Sequence, residues 1–250
     1  MSAAAREGST IDPAEVSRFD AMAKSWWDPK GPMAVLHKFN PVRLAYVRDL
    51  ACEHYGRDPK SLRALEGLDI VDIGCGGGVL SEPLTRLGAK VTGLDPAAGN
   101  IAVARAHAEK TGLSIDYRDE TIEAVVASGR RFDIVLAMEV VEHVADVEAF
   151  VGACCAAAKP GGLLVMATLN RTLKSWALAI VGAEYILRWL PRGTHDWQKF
   201  VTPDELEAAI AAGGFVPFSH QGVAYNPLAD RWSLSADMDV NYMLAARAPA

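Results

Sequence analysis

Leu68-Asp69-Ile70-Val71-Asp72-Ile73-Gly74-Cys75-Gly76-Gly77-Gly78 is the stretch that decides the fold. Ile70, Val71 and Ile73 are apolar and β-branched, as expected for a parallel strand buried on both faces. Four glycines within five positions then end the run abruptly. Such a turn lets the backbone approach a ligand closely while the chain passes into a helix. A second anchor is Asp95, which closes Val91-Thr92-Gly93-Leu94-Asp95. A strand, a glycine turn, a helix, and a second strand ending in an acid about 20 residues on make a nucleoside-binding βαβ unit. The glycines admit the ligand and the acid takes its ribose hydroxyls.

The spacing of the glycines narrows the ligand. A dinucleotide turn needs G-x-G-x-x-G, but Val79 stands where the third glycine would be. What is present is G-x-G-x-G, Gly74, Gly76 and Gly78, preceded by Asp72. A pyrophosphate needs helix amides aimed at it. A nucleoside without phosphate needs only a close backbone and an acid, and S-adenosylmethionine is of that kind. A glycine-rich turn without a ligand would not require Asp95 at this distance.

At 250 residues the chain is long enough for one α/β domain with additions. Half of its residues are hydrophobic, which excludes a disordered chain. A net charge of −6 argues against a broad basic surface for nucleic acid, so no nucleic-acid partner is expected. Cys52, Cys75, Cys154 and Cys155 have neither a disulfide-framework nor a zinc-site spacing. They read as reduced thiols of a cytoplasmic protein. Residues 1–11 are expected to be disordered, with one domain over 12–250.

Asp12-Pro13-Ala14-Glu15 reads as a helix start, with Asp12 at the N-cap, and Val16, Phe19, Met22, Trp26 and Trp27 follow at helical spacing. The tryptophans would cover a core or the mouth of a site. Asn40-Pro41 is expected to open a second helix, to about Tyr55, on which Arg43 reads by pattern alone as a solvated charge. Beyond the glycine turn, helices are expected over 81–87, 99–110 and 121–128. Strands are expected over 90–94, 114–118, 132–137 and 163–168. Met138 is expected to lead directly into a further helix. Strands alternating with helices predict a doubly wound parallel sheet with ligands at its C-terminal edge. Two closing strands, 215–223 and 240–246, suggest an antiparallel pair at one edge.

Before these closing strands, Lys174 to Leu190 reads as a long helix, apolar nearly all round and flanked by Arg171, Lys174, Arg192 and Lys199. Glu184 and Arg188 interrupt it, so it does not read as a membrane span. It would be a lid helix, or an interfacial element that touches a lipid surface.

Several scattered stretches carry a resemblance. They include Trp26-Trp27-Asp28-Pro29, Asn40-Pro41-Val42-Arg43-Leu44, Glu139-Val140-Val141-Glu142-His143-Val144, Leu190-Pro191-Arg192-Gly193-Thr194-His195-Asp196 and Asp239-Val240-Asn241-Tyr242-Met243. With the G-x-G-x-G turn, the chain resembles the class I S-adenosylmethionine-dependent methyltransferases. More narrowly, over about residues 12–247, it resembles the ubiquinone-biosynthesis O-methyltransferases. The resemblance implies a seven-stranded, doubly wound, Rossmann-like α/β sheet with an antiparallel last strand, N-terminal helices and an inserted lid helix. It implies O-methylation of polyprenyl catechol and demethylubiquinol, at both O-methylation steps. Its implied partners are the polyprenyl phenol or quinol, other ubiquinone-pathway enzymes and, through residues 174–190, the membrane surface. The protein would then be cytoplasmic and peripheral to the inner membrane.

Carried onto this sequence, the family's cofactor positions fall on Arg43, Gly74, Asp95 and Met138, with Gly76 beside Gly74. Arg43 would pair with the methionyl carboxylate and Met138 would lie near the adenine. The implied reaction moves a methyl group from a sulfonium to a phenolic oxygen. A phenol titrates near about 10, so it needs a base or a metal. Glu139, Glu142 and His143 are spaced i, i+3 and i+4, one face of a helix if a helix forms there. They are candidate ligands for a divalent cation, Mg2+ or Zn2+, that would hold a catechol and lower its pKa. Alternatively His143, with Glu142, acts directly in catalysis, or the pair only caps a helix. The residues themselves leave open a methyltransferase for another small phenol or amine, and a non-catalytic cofactor-binding module.

Overall fold

A computed structural model describes residues 10–180 and 196–250. Chain order begins with helix α1 (Pro13–Met22), a 3-10 turn (Ala23–Ser25) and the long helix α2 (Ala34–Tyr55). The alternating part follows: β1 (Asp69–Ile73), α3 (Ser81–Arg86), β2 (Lys90–Leu94), α4 (Ala98–Lys110), β3 (Asp116–Arg118) and α5 (Ile122–Ala127). It continues with β4 (Phe132–Met138), α6 (Val147–Ala156) and β5 (Ala158–Leu169). A short helix α7 (Leu173–Ser175) runs on as a π-helical turn to residue 180. Helix α8 (Pro203–Ala212) precedes the closing strands β6 (Val216–Asn226), β7 (Arg231–Ser235) and β8 (Asn241–Arg247).

The strands form one sheet in the order β3-β2-β1-β4-β5-β8-β6-β7. The order runs outward in both directions from β1 and β4, which are parallel neighbours. That reversal opens a crevice at their C-terminal ends, where a doubly wound sheet binds its ligand. Alternation along β1 serves both faces. Val71 and Ile73 join a core with residues of α5, α6 and α8, while Ile70 joins Phe39, Tyr46 and Val47 of α2 and Leu84 of α3.

The reversed last strand is present: β8 is antiparallel to β5 and to β6. It lies inside the sheet, between those two strands. Among the described residues the sheet has eight strands where seven were expected. The additional one, β7, pairs antiparallel with β6 across Tyr225 and Trp232. Trp232 stacks on Phe39 of α2, centroids 4.8 Å apart, which ties this outer hairpin to a helix remote in sequence.

Three further expectations are corrected. Helix α2 starts at Ala34, and Pro41 lies inside it. Proline usually ends or kinks a helix, but here buried residues on both sides of it, Met33, Phe39 and Tyr46, hold the segment against the core. Residues 10 and 11 are not loose. Thr10 is buried, its carbonyl accepts from the Ala145 amide at 2.8 Å, and Ile11 bridges Val144. Residues 1–9, the rest of the segment expected to be disordered, lie outside the described residues. Most of the helix expected over 174–190 lies outside them as well.

The third correction matters most for function. Met138 does not lead into a helix. The ladder runs one residue past β4, where the Glu139 amide donates to the Ala167 carbonyl at 2.9 Å. Glu139 then adopts φ 61°, a left-handed conformation uncommon for a non-glycine residue. Only a 3-10 turn, Val141–His143, follows before α6. Glu139, Glu142 and His143 therefore do not share one face of an α-helix.

Candidate active site

A cavity of about 660 Å³ opens at the C-terminal ends of β1, β2 and β4. Arg43, Gly74, Asp95, Met138, Glu139, Glu142 and His143 all line it. Gly76 alone among the expected site residues is not part of its wall.

The cofactor end is built from the glycine turn and the exit of β2. Gly74 has φ 65° and Gly76 has φ 54°, a region that disfavours residues with a Cβ. Space excludes a side chain there as well. A Cβ on Gly74 would lie 2.5 Å from Val140, and one on Gly76 2.2 Å from the Trp26 ring. The Gly76 amide donates to Asp95 Oδ2 at 3.0 Å, and the Ala97 amide donates to Oδ1 at 2.8 Å. The Asn100 side-chain amide donates to both oxygens at 3.2 Å. Burial still outweighs these donors and pushes the Asp95 carboxyl up to about 6. Asp72 is likewise pushed to about 6 by burial, against a 2.6 Å hydrogen bond from Ser81.

Arg43 is not a solvated charge. It is 4% exposed, its guanidinium lies over the Phe39 ring at 4.7 Å, and its Nη2 reaches Asn40 Oδ1 at a long 3.5 Å. Its Nε is buried without a hydrogen-bond partner. Burial lowers its pKa, opposed by the nearby charges of Glu139 and Asp72. A buried guanidinium with unused donors suits an incoming carboxylate. With the backbone cradle and Asp95, these residues fit S-adenosylmethionine: a carboxylate at Arg43, a ribose at Asp95, and the cofactor's body along the glycine turn.

At the other end, His143 Nδ1 lies 3.1 Å from Glu15 Oε2, and its ring meets Phe19 edge-on at 5.1 Å. Burial raises the Glu15 carboxyl, but His143, Arg18 and Lys199 together hold it below its usual value. Glu142 is 3% exposed and accepts from the Thr168 hydroxyl at 2.7 Å. Burial, reinforced by Glu139, raises its pKa to about 8, so it carries a proton at neutral pH. Among the described residues, no group of three or more His, Cys, Asp or Glu side chains is gathered to hold a metal ion. The expected trio shares a cavity wall but, as placed, does not form a metal site.

Sequence reasoning misses Asn100, Thr168 and the role of Glu15, which by pattern is only part of a helix start. Trp26 does carry a signal, since tandem tryptophans closing a helix point to a covered core or a site mouth. Between the two ends the wall is apolar and includes Phe19, Met22, Leu169, Leu178, Pro227 and Trp232. Leu173, Trp176 and Leu178 of the α7 segment are exposed. The basic residues beside them are paired: Lys174 with Asp237 and Asp239, Arg171 with Glu205, and Lys199 with Asp12. Arg192 lies outside the described residues. Among those residues, no helix is long and apolar enough to cross a membrane.

The strand order, with Asp95 facing a glycine turn, is that of a Rossmann-like fold, and residues 71–166 match the methyltransferase domain family. Solved structures agree on the fold. The magnesium protoporphyrin IX methyltransferase of Synechocystis PCC 6803, with bound SAH, superposes with a TM-score of 0.64 at 18% identity, covering 93% of this chain and 94% of that one. Closer relatives narrow the assignment. The ubiquinone biosynthesis O-methyltransferase of Methylobacterium sp. (strain 4-46) is 64% identical over 97% of this chain and 98% of its own. That of Rhizobium rhizogenes (strain K84 / ATCC BAA-868) is 59% identical over 99% of both. The chain belongs to the ubiquinone biosynthesis O-methyltransferases and is an S-adenosylmethionine-dependent O-methyltransferase.

Proposed function

We propose that this chain methylates phenolic hydroxyls of polyprenylated catechol and demethylubiquinol, at both O-methylation steps of ubiquinone biosynthesis. One observation carries the reading: a single cavity joins the Arg43–Asp95 end to the Glu142–His143 end across an apolar wall. When bound, S-adenosylmethionine supplies a methyl group on a sulfonium sulfur. Arg43 holds its carboxylate, Asp95 its ribose hydroxyls, and the backbone of the glycine turn lets it lie close. His143, oriented by Glu15, would take the phenolic proton while the oxygen accepts the methyl group that the cofactor would supply. Glu142 offers a buried carboxyl to the neighbouring oxygen of a catechol. The apolar wall takes the start of the prenyl chain. The test is turnover of a polyprenyl catechol and a demethylubiquinol against a short-chain catechol. Faster turnover of the short phenol, or turnover of an amine in its place, overturns the assigned acceptor.

A second reading puts Mg2+ or Zn2+ on Glu139, Glu142 and His143. It is favoured by Glu142 Oε1, which is buried without a hydrogen-bond partner. The three side chains would have to gather further to bind an ion, and no step above passes through one. Full activity after chelation, with no saturable heat on titration with MgCl2 or ZnCl2, decides for His143 as the base. Loss of activity restored by either salt decides for the metal.

A polyprenyl acceptor partitions into lipid, so we also infer that the protein works at the cytoplasmic face of the inner membrane, beside other enzymes of the pathway. Exposed Leu173, Trp176 and Leu178 support this better than the paired lysines and arginines do. Replacing Trp176 and Leu178 by alanine should weaken sedimentation with anionic vesicles. Unchanged sedimentation removes the segment from this role.

A further inference from the structure

Trp26 lies directly on the glycine turn. It is 7% exposed, and its ring occupies the space in which Gly76 and Gly77 would carry a Cβ. Its Nε1 donates to Asn100 Oδ1 at 2.8 Å. An indole N–H can only donate, so this bond settles which way the Asn100 amide faces. Oδ1 turns toward Trp26, and Nδ2 therefore turns toward Asp95, where it reaches both carboxylate oxygens. Asn100 itself is 1% exposed, so solvent offers it no alternative partner. Trp26 closes the 3-10 turn that follows α1, and α1 is tied to α4 where Asp20 Oδ1 accepts from the Gly99 amide at 2.7 Å.

We propose that Trp26 is a positioning residue for the cofactor's ribose: it orients Asn100, and Asn100 orients the Asp95 carboxylate. A side chain outside the βαβ unit thereby completes the ribose subsite. The neighbouring Trp27 acts differently. Its Nε1 donates to the Gly77 carbonyl at 2.9 Å and its ring stacks on His107 at 3.5 Å, a path that does not pass through Asp95. The inference rests on the shared S-adenosyl cofactor and not on the acceptor assigned above.

The test is calorimetric binding of S-adenosylhomocysteine and of its 2′,3′-dideoxy analogue, with no acceptor present. Trp26→Phe keeps a ring over the glycines and loses only the N–H. It should bind S-adenosylhomocysteine about 5- to 10-fold more weakly, the scale of one buried hydrogen bond. The dideoxy analogue should bind nearly as it does to wild type, so the preference for an intact ribose shrinks by the same factor. Trp27→Phe should retain the wild-type preference. Trp26→Phe with an unchanged preference overturns the proposal, whether its affinity is unchanged or falls equally for both ligands. If Trp26→Phe does not fold, Asn100→Ala is read in the same way, and an unchanged preference there also overturns it. A failure of the acceptor assignment would appear only in turnover, which this experiment does not measure.

Discussion

At the cofactor end of the cavity, Gly74, Gly76, Asp95 and Asn100 all come from one run of chain, β1 to the start of α4. At the acceptor end, Glu15, Glu142, His143 and Thr168 come from α1, the turn after β4, and β5. Apart from Arg43 of α2 and Trp26, which reach it from outside, the first end is local, and a βαβ unit brings its residues together wherever it folds. The second is assembled by contacts between distant segments. Thr10 and Ile11 hold the segment after β4, Thr168 holds Glu142, and Glu15 meets His143. The two ends should therefore fail in different ways when broken.

The largest effect is expected at the acceptor end. His143→Ala should lower kcat by about 10²- to 10⁴-fold, the usual contribution of a positioned base, and leave S-adenosylhomocysteine affinity at the wild-type value. Stopped-flow turnover and calorimetry read the two quantities separately. A large loss of cofactor affinity would mean that the ends are not independent. Next comes the cofactor end itself. Asp95→Ala should weaken S-adenosylhomocysteine by about 10- to 100-fold, as loss of charge-assisted hydrogen bonds does. The KM for cofactor should rise with it, while the pH profile of kcat keeps its shape.

Gly76→Ala should cost about 1–3 kcal/mol of stability through its positive φ and the clash with Trp26. Denaturant unfolding measures that loss, and a neutral result would mean that Trp26 can move off the turn. A further effect, seen only in the pH dependence, sharpens the acceptor end. Glu142 has a raised pKa, so between about pH 4.5 and about pH 8 the folded state binds a proton that the unfolded state does not. Its contribution makes stability fall as pH rises through that window. Glu142→Gln should match wild type near pH 5 and melt several degrees higher near pH 9. Parallel melting curves for the two proteins would show that Glu142 is not held neutral.

The same contrast explains which parts of the molecule are legible in the sequence alone. The strand Lys90–Leu94 is found with those bounds, and the glycine turn and Asp95 stand where the spacing puts them. Their signals are short-range: apolar runs, glycine spacing and one acid at a fixed distance. The segment after β4 has a helical spacing that the fold does not use. Burial of Val141, the approach of Val140 to Gly74 and the bridge from Ile11 override it. Strand β7 escapes the sequence pattern for a related reason. Arg231–Ser235 alternates polar and apolar residues, with Trp232 and Leu234 on one face, but over only five positions, and pairing with β6 and stacking on α2 hold it in the sheet.

Sequence by itself determined the doubly wound sheet, the glycine turn and the place of Asp95 beside it, because each depends on local pattern and spacing. Tertiary structure decided the rest: that Arg43 is buried toward the cavity, that Glu15 orients His143, that Glu139 leaves the helical path, and that Trp26 reaches Asp95 through Asn100. Those pairings join positions far apart in the chain, and their energy comes from contacts that exist only once the separate segments have packed.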